Sequence, residues 1–223
     1  MKSTVLTIIR FVDFLFTIYI WRLVLFGRFS SFTSLIFIIG GTVLVFPTVW
    51  IGRKAIDVKP TADRLAWITT IVHMLVMIFL GASVIEAIKF LPVEPGAGIP
   101  LPVEFGMVLV VLTGVATFLT VVNLAISGLG APFAIALSKR IANRWLYRWT
   151  RNPMVLGTLT TLLSLGFYLQ SLYFVLWVVL LVTPALIYVL KSYEERELEI
   201  RFGAPYMDYK AKTSFLWPRK PTS

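Results

Sequence analysis

The sequence predicts an all-α protein, a polytopic transmembrane helix bundle of five or six spans with a C-terminal helical hairpin and cytoplasmic tail helices. Hydrophobic residues make up 58% of the chain and charged residues only 14%, whereas a soluble domain is nearer to half apolar and a quarter charged. Uncharged runs recur along the sequence, and several are long enough to cross a bilayer core of ~30 Å as a helix. Basic residues cluster between these runs, as they do where they set membrane topology.

Five apolar runs predict membrane-spanning helices. They are residues 32–51, 65–85, 105–126, 154–170 and 171–190. The last two runs are joined by almost no loop, so they are expected to form an antiparallel hairpin. Gly157 and Gly166 would permit close approach of helix backbones there, and Pro184 is expected to kink the last span.

The first apolar segment, residues 5–26, has two interpretations. It is long enough to cross the membrane, but it contains Arg10, Asp13 and Arg22. It is either a sixth span whose polar residues face other helices or an amphipathic helix lying at the interface; we favour the span. In either case residues 1–127 are interpreted as N-terminal transmembrane helices and residues 128–223 as a separate C-terminal region.

The charge distribution predicts the orientation of the chain. Residues 52–64, residues 139–151 and the tail after residue 190 are rich in lysine and arginine, whereas residues 86–104 hold one lysine and three glutamates. The positive-inside rule therefore places residues 52–64, residues 127–153 and the tail in the cytoplasm. Basic clusters beside apolar spans favour lipid headgroups, rather than nucleic acid, as partners.

The composition also limits the chemistry. The chain has no cysteine and a single histidine, His73, which argues against disulfides, cysteine nucleophiles and a metal site. His73 lies in the middle of a predicted span, where an interhelical hydrogen bond is favoured over a proton-handling role. Asn123, near the cytoplasmic end of its span, is a candidate for lining a pocket.

Polar residues cluster at both ends of the C-terminal hairpin, where it begins and where it leaves the membrane, and they form a two-part signature. The first part comprises Tyr147, Arg151, Asn152, Pro153, Met154 and Gly157, and the second comprises Glu194, Glu195, Leu198, Phe202, Tyr206 and Tyr209. Glu195, Leu198 and Phe202 fall on one stripe of a helix that leaves the membrane.

The segment after this stripe has its own pattern. Glu197 and Arg201 are spaced for a surface ion pair. Gly203 is suited to end the helix and Pro205 to begin a second short one, which would carry Tyr206 and Tyr209 on one side.

This two-part signature, over about residues 128–220, resembles that of the isoprenylcysteine carboxyl methyltransferases and their phospholipid-methyltransferase relatives. Their first motif reads glycine, any residue, tyrosine, three residues and Arg-His/Asn-Pro, and it continues to a second tyrosine and a small residue. This chain departs from it with Trp145 in place of the glycine and Val155 in place of the second tyrosine. Asn152 stands where many members have a cofactor-binding histidine. Residues 128–132 also resemble a loop that often precedes the motif.

The resemblance implies an integral membrane methyltransferase with S-adenosylmethionine as cofactor and no metal. The implied catalytic residues are Arg151 and Glu195. The implied cofactor-binding residues are Tyr147, Asn152, Pro153, Met154, Gly157, Glu194, Glu195, Leu198, Phe202 and Tyr206. Acidic side chains suit the ribose hydroxyls and the ammonium group, an arginine suits the carboxylate, and apolar walls suit adenine.

The resemblance further implies a lipophilic or lipidated acceptor, among membrane lipids, with the active site facing the cytoplasm. A carboxylate acceptor, as in an isoprenylcysteine, is favoured because it is already ionised and the signature contains no histidine. An amine or thiol would need deprotonation, for which Glu194 or Glu195 is the nearest candidate. Two alternatives remain open: a membrane reductase of the sterol-reductase type using NADPH, and a small non-enzymatic transport or assembly protein.

Overall fold

The computed structural model describes residues 2–92, 98–128 and 140–220, and within these ranges the chain is built from helices. The helices are α1 (Lys2–Phe26), α2 (Ser31–Val58), α3 (Ala62–Phe90), α4 (Val103–Gly128), α5 (Pro153–Tyr168), α6 (Leu172–Phe202) and α7 (Ala204–Lys212). A single 3₁₀ turn, Trp145–Arg148, precedes α5 in the described part of the chain. The loop at residues 129–132 that resembled a family motif lies outside the described residues.

Four helices, α2, α3, α4 and α6, are long and apolar enough to cross a membrane, and α5 is a shorter apolar helix. This confirms the predicted all-helical membrane bundle. All of the predicted spans except α5, which ends at Tyr168, extend past their apolar runs, most of all α6, which continues through Glu194 to Phe202. The stripe formed by Glu195, Leu198 and Phe202 therefore lies on a continuation of the membrane helix.

Helix α1 lies parallel to α3 along most of its length. The contacts are hydrogen bonds from Arg10 Nε to Thr70 Oγ1 (3.0 Å), from Trp21 Nε1 to the Met77 carbonyl (3.1 Å) and from Lys89 Nζ to the Val24 carbonyl (2.7 Å). The three contacts follow one another in the same order along both helices, so α1 and α3 run side by side in the same direction. The packing supports the interpretation of α1 as a span rather than as a helix lying flat on the membrane.

The interior is formed by α2, α3 and α6. Val45, Val49, Val72 and Val189 pack around Tyr193, whose side chain is fully buried. Large apolar side chains on α1 and α4 instead remain exposed, as in Leu112 and Phe118 at 61% and 64%. Such an outer surface is compatible with lipid and not with water.

Helix α5 packs closely against both neighbours in the chain. A Cβ atom added to Gly157 would lie 2.7 Å from Thr117 Oγ1 and 3.1 Å from Thr117 Cα, and one added to Gly166 would lie 2.6 Å from Val175 Cγ2. Both glycines therefore permit the close approach that was predicted. The neighbour of Gly157 is α4, however, and not the hairpin partner α6.

The irregularity expected around Pro184 takes the form of wide turns in α6. A π-helical turn, Val178–Val182, precedes Pro184, and a second one, Val189–Glu194, follows it. Proline lacks an N–H and crowds the carbonyl one turn earlier, so a wider turn relieves that crowding. The Val178 carbonyl accepts both the backbone N–H of Thr183 and the Thr183 hydroxyl, the latter at 2.9 Å, which holds the wide turn together.

The described parts of the basic segments that were predicted to share one side of the membrane lie at one end of the bundle. Asp57 at the end of α2 accepts hydrogen bonds from Arg53 (2.6 Å) and from Arg196 of α6 (2.9 Å). At the opposite end the Ser171 hydroxyl donates to the Leu91 carbonyl at 3.1 Å. The charge asymmetry in the sequence is thus an asymmetry between the two ends of the helices.

We expect Gly157→Ala to lower stability by about 1–3 kcal/mol, because the added methyl group would force α5 away from Thr117. Gly114→Ala on α4 is the matched control, since a Cβ there meets nothing within 4 Å. Thermal unfolding in detergent measures both variants. Equal midpoints would show that the α4–α5 contact is looser than the structure indicates.

Candidate active site

A cavity of about 470 Å³ lies at the end of the bundle that carries the basic segments. Its size is in the range of small-molecule and cofactor sites. The sequence-predicted residues in its wall are Tyr147, Arg151, Asn152, Met154, Glu194, Glu195, Leu198, Phe202 and Tyr206. Both parts of the signature therefore meet at one cavity.

Two predicted cofactor-binding residues do not line this cavity. Pro153 is buried in the first turn of α5, where its missing N–H leaves no broken hydrogen bond. Gly157 faces Thr117 of α4. In the structure Pro153 begins α5 and Gly157 lets α5 approach α4, and their predicted contact with the cofactor stays a prediction.

The guanidinium group of Arg151 joins the two halves of the signature. Its Nη2 lies 2.7 Å from Glu195 Oε1, and its Nη1 donates to the carbonyls of Lys210 (2.9 Å) and Thr213. The Nε atom is buried and has no hydrogen-bond partner among the described residues. Protein groups thus engage both Nη atoms of the fork that was expected to bind a ligand carboxylate, and Nε is the atom of this group without a partner among the described residues.

Glu195 is held between two cations. Lys210 Nζ lies 2.6 Å from Oε2, while Arg151 occupies Oε1. Burial acts most strongly on the pKa of Lys210 and lowers it, but hydrogen bonds and charge from Glu195 and Glu199 together raise that pKa above its ordinary value. Lys210 therefore stays charged, and Glu195 serves first as the centre of an ion cluster.

Glu194 differs from Glu195 in its environment. It lines the cavity, and the charges that act on its carboxylate among the described residues are those of Glu195, which repels it, and Arg201, which attracts it. The wide turn Val189–Glu194 ends at this position and sets the directions of the two neighbouring side chains. Glu194 is thus a cavity carboxylate available to a ligand.

Glu197 and Arg201 form the predicted ion pair, at 2.6 Å, but its predicted surface location is wrong. Glu197 is only 3% exposed, and both residues line the cavity. The end of α6 packs against α3, which covers the helix face that the sequence pattern left open.

The tail is folded back over the cavity. Gly203 has φ of 59°, a left-handed conformation that suits glycine, and it separates α6 from α7 as predicted. The hydroxyl of Tyr209 donates to the Tyr147 carbonyl at 2.7 Å, and the Tyr206 and Tyr209 rings lie 6.3 Å apart. Burial raises the pKa of all three phenols, which therefore remain neutral hydroxyl groups in the wall.

The extended end of the tail also attaches to the residues before α5. Asn152 Nδ2 donates to the Phe215 carbonyl at 2.9 Å, and the backbone N–H of Arg151 donates to the Ser214 carbonyl at 2.8 Å. The amide group of Asn152 therefore binds the tail, and Asn152 is also part of the cavity wall.

Sequence reasoning missed the contribution of α3. His73 lines the cavity, and its Nδ1 lies 2.9 Å from the Thr69 carbonyl of the same helix, so the expected interhelical bond is replaced by an intrahelical one. An ionisable residue in mid-span is itself a signal of function, but nothing in the sequence placed it beside the signature.

Asn123 has a structural role instead of the suggested pocket role. It is fully buried, and its Oδ1 accepts from the backbone N–H of Leu146 at 3.2 Å. This bond fixes the turn Trp145–Arg148 against α4. The neighbouring Leu124, and not Asn123, belongs to the cavity wall.

We expect Arg151→Lys to loosen the tail, because one ammonium group cannot replace a fork that contacts a carboxylate and two carbonyls. Losing one charge-assisted bond typically costs about 1.5–3 kcal/mol. Thermal unfolding and the rate of proteolysis within residues 204–220 measure the effect. The control is Arg148→Lys, at an exposed position of the same segment. If the two variants behave identically, Arg151 acts only as a membrane anchor.

Comparison with known proteins identifies the C-terminal region. Residues 101–204 match the family model of phospholipid methyltransferases. No curated protein and no solved structure matches the chain. The matched region contains α4, α5 and α6 and includes both carboxylates at positions 194 and 195. The region that forms most of the candidate active site is therefore similar to phospholipid methyltransferases, in agreement with the membrane methyltransferase signature found in the sequence.

Proposed function

We propose that this protein is an integral membrane methyltransferase that uses S-adenosylmethionine and acts on a lipophilic acceptor. The observation that carries the proposal is the cavity, in which both halves of the signature meet at one end of a lipid-compatible bundle. The match to the phospholipid-methyltransferase family supports the reaction class.

The polar wall has the donor set that the cofactor requires. Glu194 is a carboxylate free for ribose hydroxyls or an ammonium group, and Nε of Arg151 is a buried donor without a partner. Tyr147 and Tyr206 add neutral hydroxyls, while Phe202 adds an aromatic wall for adenine. These residues would hold the cofactor, and its sulfonium group supplies an electrophilic methyl group when bound.

The inner part of the cavity suits a lipid chain. Its wall there consists of apolar side chains from α3, α5 and α6, among them Met77, Leu80, Leu162 and Val182. Methyl transfer needs in-line positioning of the acceptor and exclusion of water more than it needs strong chemical assistance. A cavity that is polar at one end and apolar at the other provides both.

The two alternative functions are less well supported. A reductase using NADPH must bind additional phosphates, but two of the three arginines in the cavity wall, Arg151 and Arg201, are already paired with Glu195 and Glu197, which leaves Arg140 as the third. A transport protein would carry polar groups along the whole path, whereas the inner wall of this cavity is apolar. Both differences favour methyl transfer.

Glu194→Gln should weaken binding of S-adenosylhomocysteine by roughly tenfold or more, because one charge-assisted hydrogen bond is worth about 1.5–3 kcal/mol. Isothermal titration of the purified protein measures this affinity, with NADPH as a second titrant. Glu199→Gln is the control, as it lies on the same helix and pairs with Lys210 and Arg196. Binding of NADPH without binding of S-adenosylhomocysteine would overturn the proposed function.

The cofactor is made in the cytoplasm, so the polar end of the bundle should face it. In this cysteine-free chain, cysteine placed at Asp208 should resist an impermeant maleimide until the cells are permeabilised. Cysteine placed at Gly98, where the structure leaves open space, should react in intact cells. The opposite labelling pattern would place the site on the wrong side of the membrane.

A further inference from the structure

We propose that His73 is a catalytic residue, a general base that takes a proton from the methyl acceptor. The acceptor then belongs to the lipids whose nucleophilic nitrogen or oxygen carries a proton at neutral pH, and it is not a carboxylate. This inference rests on the proposed methyl transfer and concerns α3, which lies outside the matched region of residues 101–204.

The hydrogen bond of His73 fixes which ring nitrogen can act as a base. Nδ1 lies 2.9 Å from the Thr69 carbonyl oxygen, and a carbonyl oxygen can only accept. Nδ1 therefore carries the proton in the neutral ring, which leaves Nε2 with its lone pair. Since His73 lines the cavity, the ring is within reach of a ligand there.

Neighbouring side chains hold the ring in place. The Thr69 and Tyr193 hydroxyl oxygens are 3.0 Å apart, which links the backbone turn below His73 to α6. The Tyr193 ring packs edge-on against the imidazole, with centroids 6.1 Å apart and planes at 72°. Tyr193 is fully buried, so this support is rigid. Tyr193 is in this respect a positioning residue for His73.

His73 lies where the polar part of the cavity meets its apolar part. Thr69, one turn nearer the polar end, lies on the side of the acidic residues. Val76, Met77 and Leu80 continue along the same helix into the apolar part. An acceptor with its chain among these apolar residues would place its head group at His73, with the cofactor-binding residues on the other side.

The step is balanced with a sulfonium methyl donor. The acceptor N–H or O–H proton passes to Nε2 of His73, the acceptor lone pair forms the bond to the methyl carbon, and the carbon–sulfur bond breaks with its electron pair remaining on sulfur. The carboxylate acceptor was favoured because no histidine was expected at the site. The position of His73 in the wall removes that reason.

The first test compares wild type with His73→Asn, using labelled S-adenosylmethionine and three lipid probes in detergent micelles. The probes are phosphatidylethanolamine, a long-chain alkylphenol and an S-farnesylcysteine derivative. We expect transfer to the amine or the phenol, and not to the carboxylate. His73→Asn should lower kcat by about 10²–10⁴-fold, the usual contribution of a general base, and leave the affinity for S-adenosylhomocysteine unchanged.

The outcomes separate the two proposals. If wild type binds S-adenosylhomocysteine but methylates only the carboxylate, or none of the probes, the acceptor class inferred from His73 is wrong. Unchanged kcat in His73→Asn would also remove its catalytic role. Failure of wild type to bind S-adenosylhomocysteine would instead contradict the proposed function itself.

The second test needs no acceptor. Because the chain has a single histidine, nitrogen NMR of histidine-labelled protein reports His73 alone. We expect a neutral ring protonated at Nδ1, with an unprotonated Nε2. Protonation at Nε2 instead would leave no base facing the cavity and would overturn the inference.

Discussion

The ion cluster of Arg151, Glu195 and Lys210 is the interaction on which the site depends. It joins three parts of the chain that are distant in sequence: the start of α5, the end of α6 and the tail helix α7. Buried charges are tolerated only when they are paired and hydrogen-bonded, and removing one partner leaves the other uncompensated. The cluster therefore holds the tail over the cavity, together with the hydrogen bonds of Asn152 and Tyr209, and so brings the tyrosines of α7 to the wall.

The two π-helical turns of α6 also shape the candidate active site. Residues 194 and 195 both have α-helical backbone angles, so their side chains differ in direction by the usual rotation per residue. The π-helical turn Val189–Glu194 changes the phase of the helix just before the acidic pair. One carboxylate then enters the ion cluster and its neighbour remains available in the cavity. Such turns are frequent at functional sites for this reason.

The N-terminal helices complete the site rather than merely anchoring it. Trp21 of α1 and His73 of α3 both contribute to the cavity wall, and the parallel packing of α1 and α3 brings them there. In a bilayer, packing between helices cannot rely on burial of apolar surface alone, so hydrogen bonds such as that from Trp21 to the Met77 carbonyl contribute to the alignment. The matched domain thus acquires part of its cavity from outside its own boundaries.

The sequence alone determined the bundle class, the hairpin, the segregation of charge to one end and the pairing of Glu197 with Arg201, because each follows from local periodicity and composition. It also predicted part of the cavity wall, including Arg151, Glu194 and Glu195, through the spacing of two short motifs. Only the tertiary structure decided that Arg151 is engaged by Glu195 and the tail carbonyls, that Glu197 is buried, and that His73 faces the same cavity. Those facts depend on which helices are neighbours and on how they rotate against one another. No local pattern encodes that geometry, because it is fixed by contacts between segments distant in sequence, such as Arg151 with Glu195 and Thr69 with Tyr193.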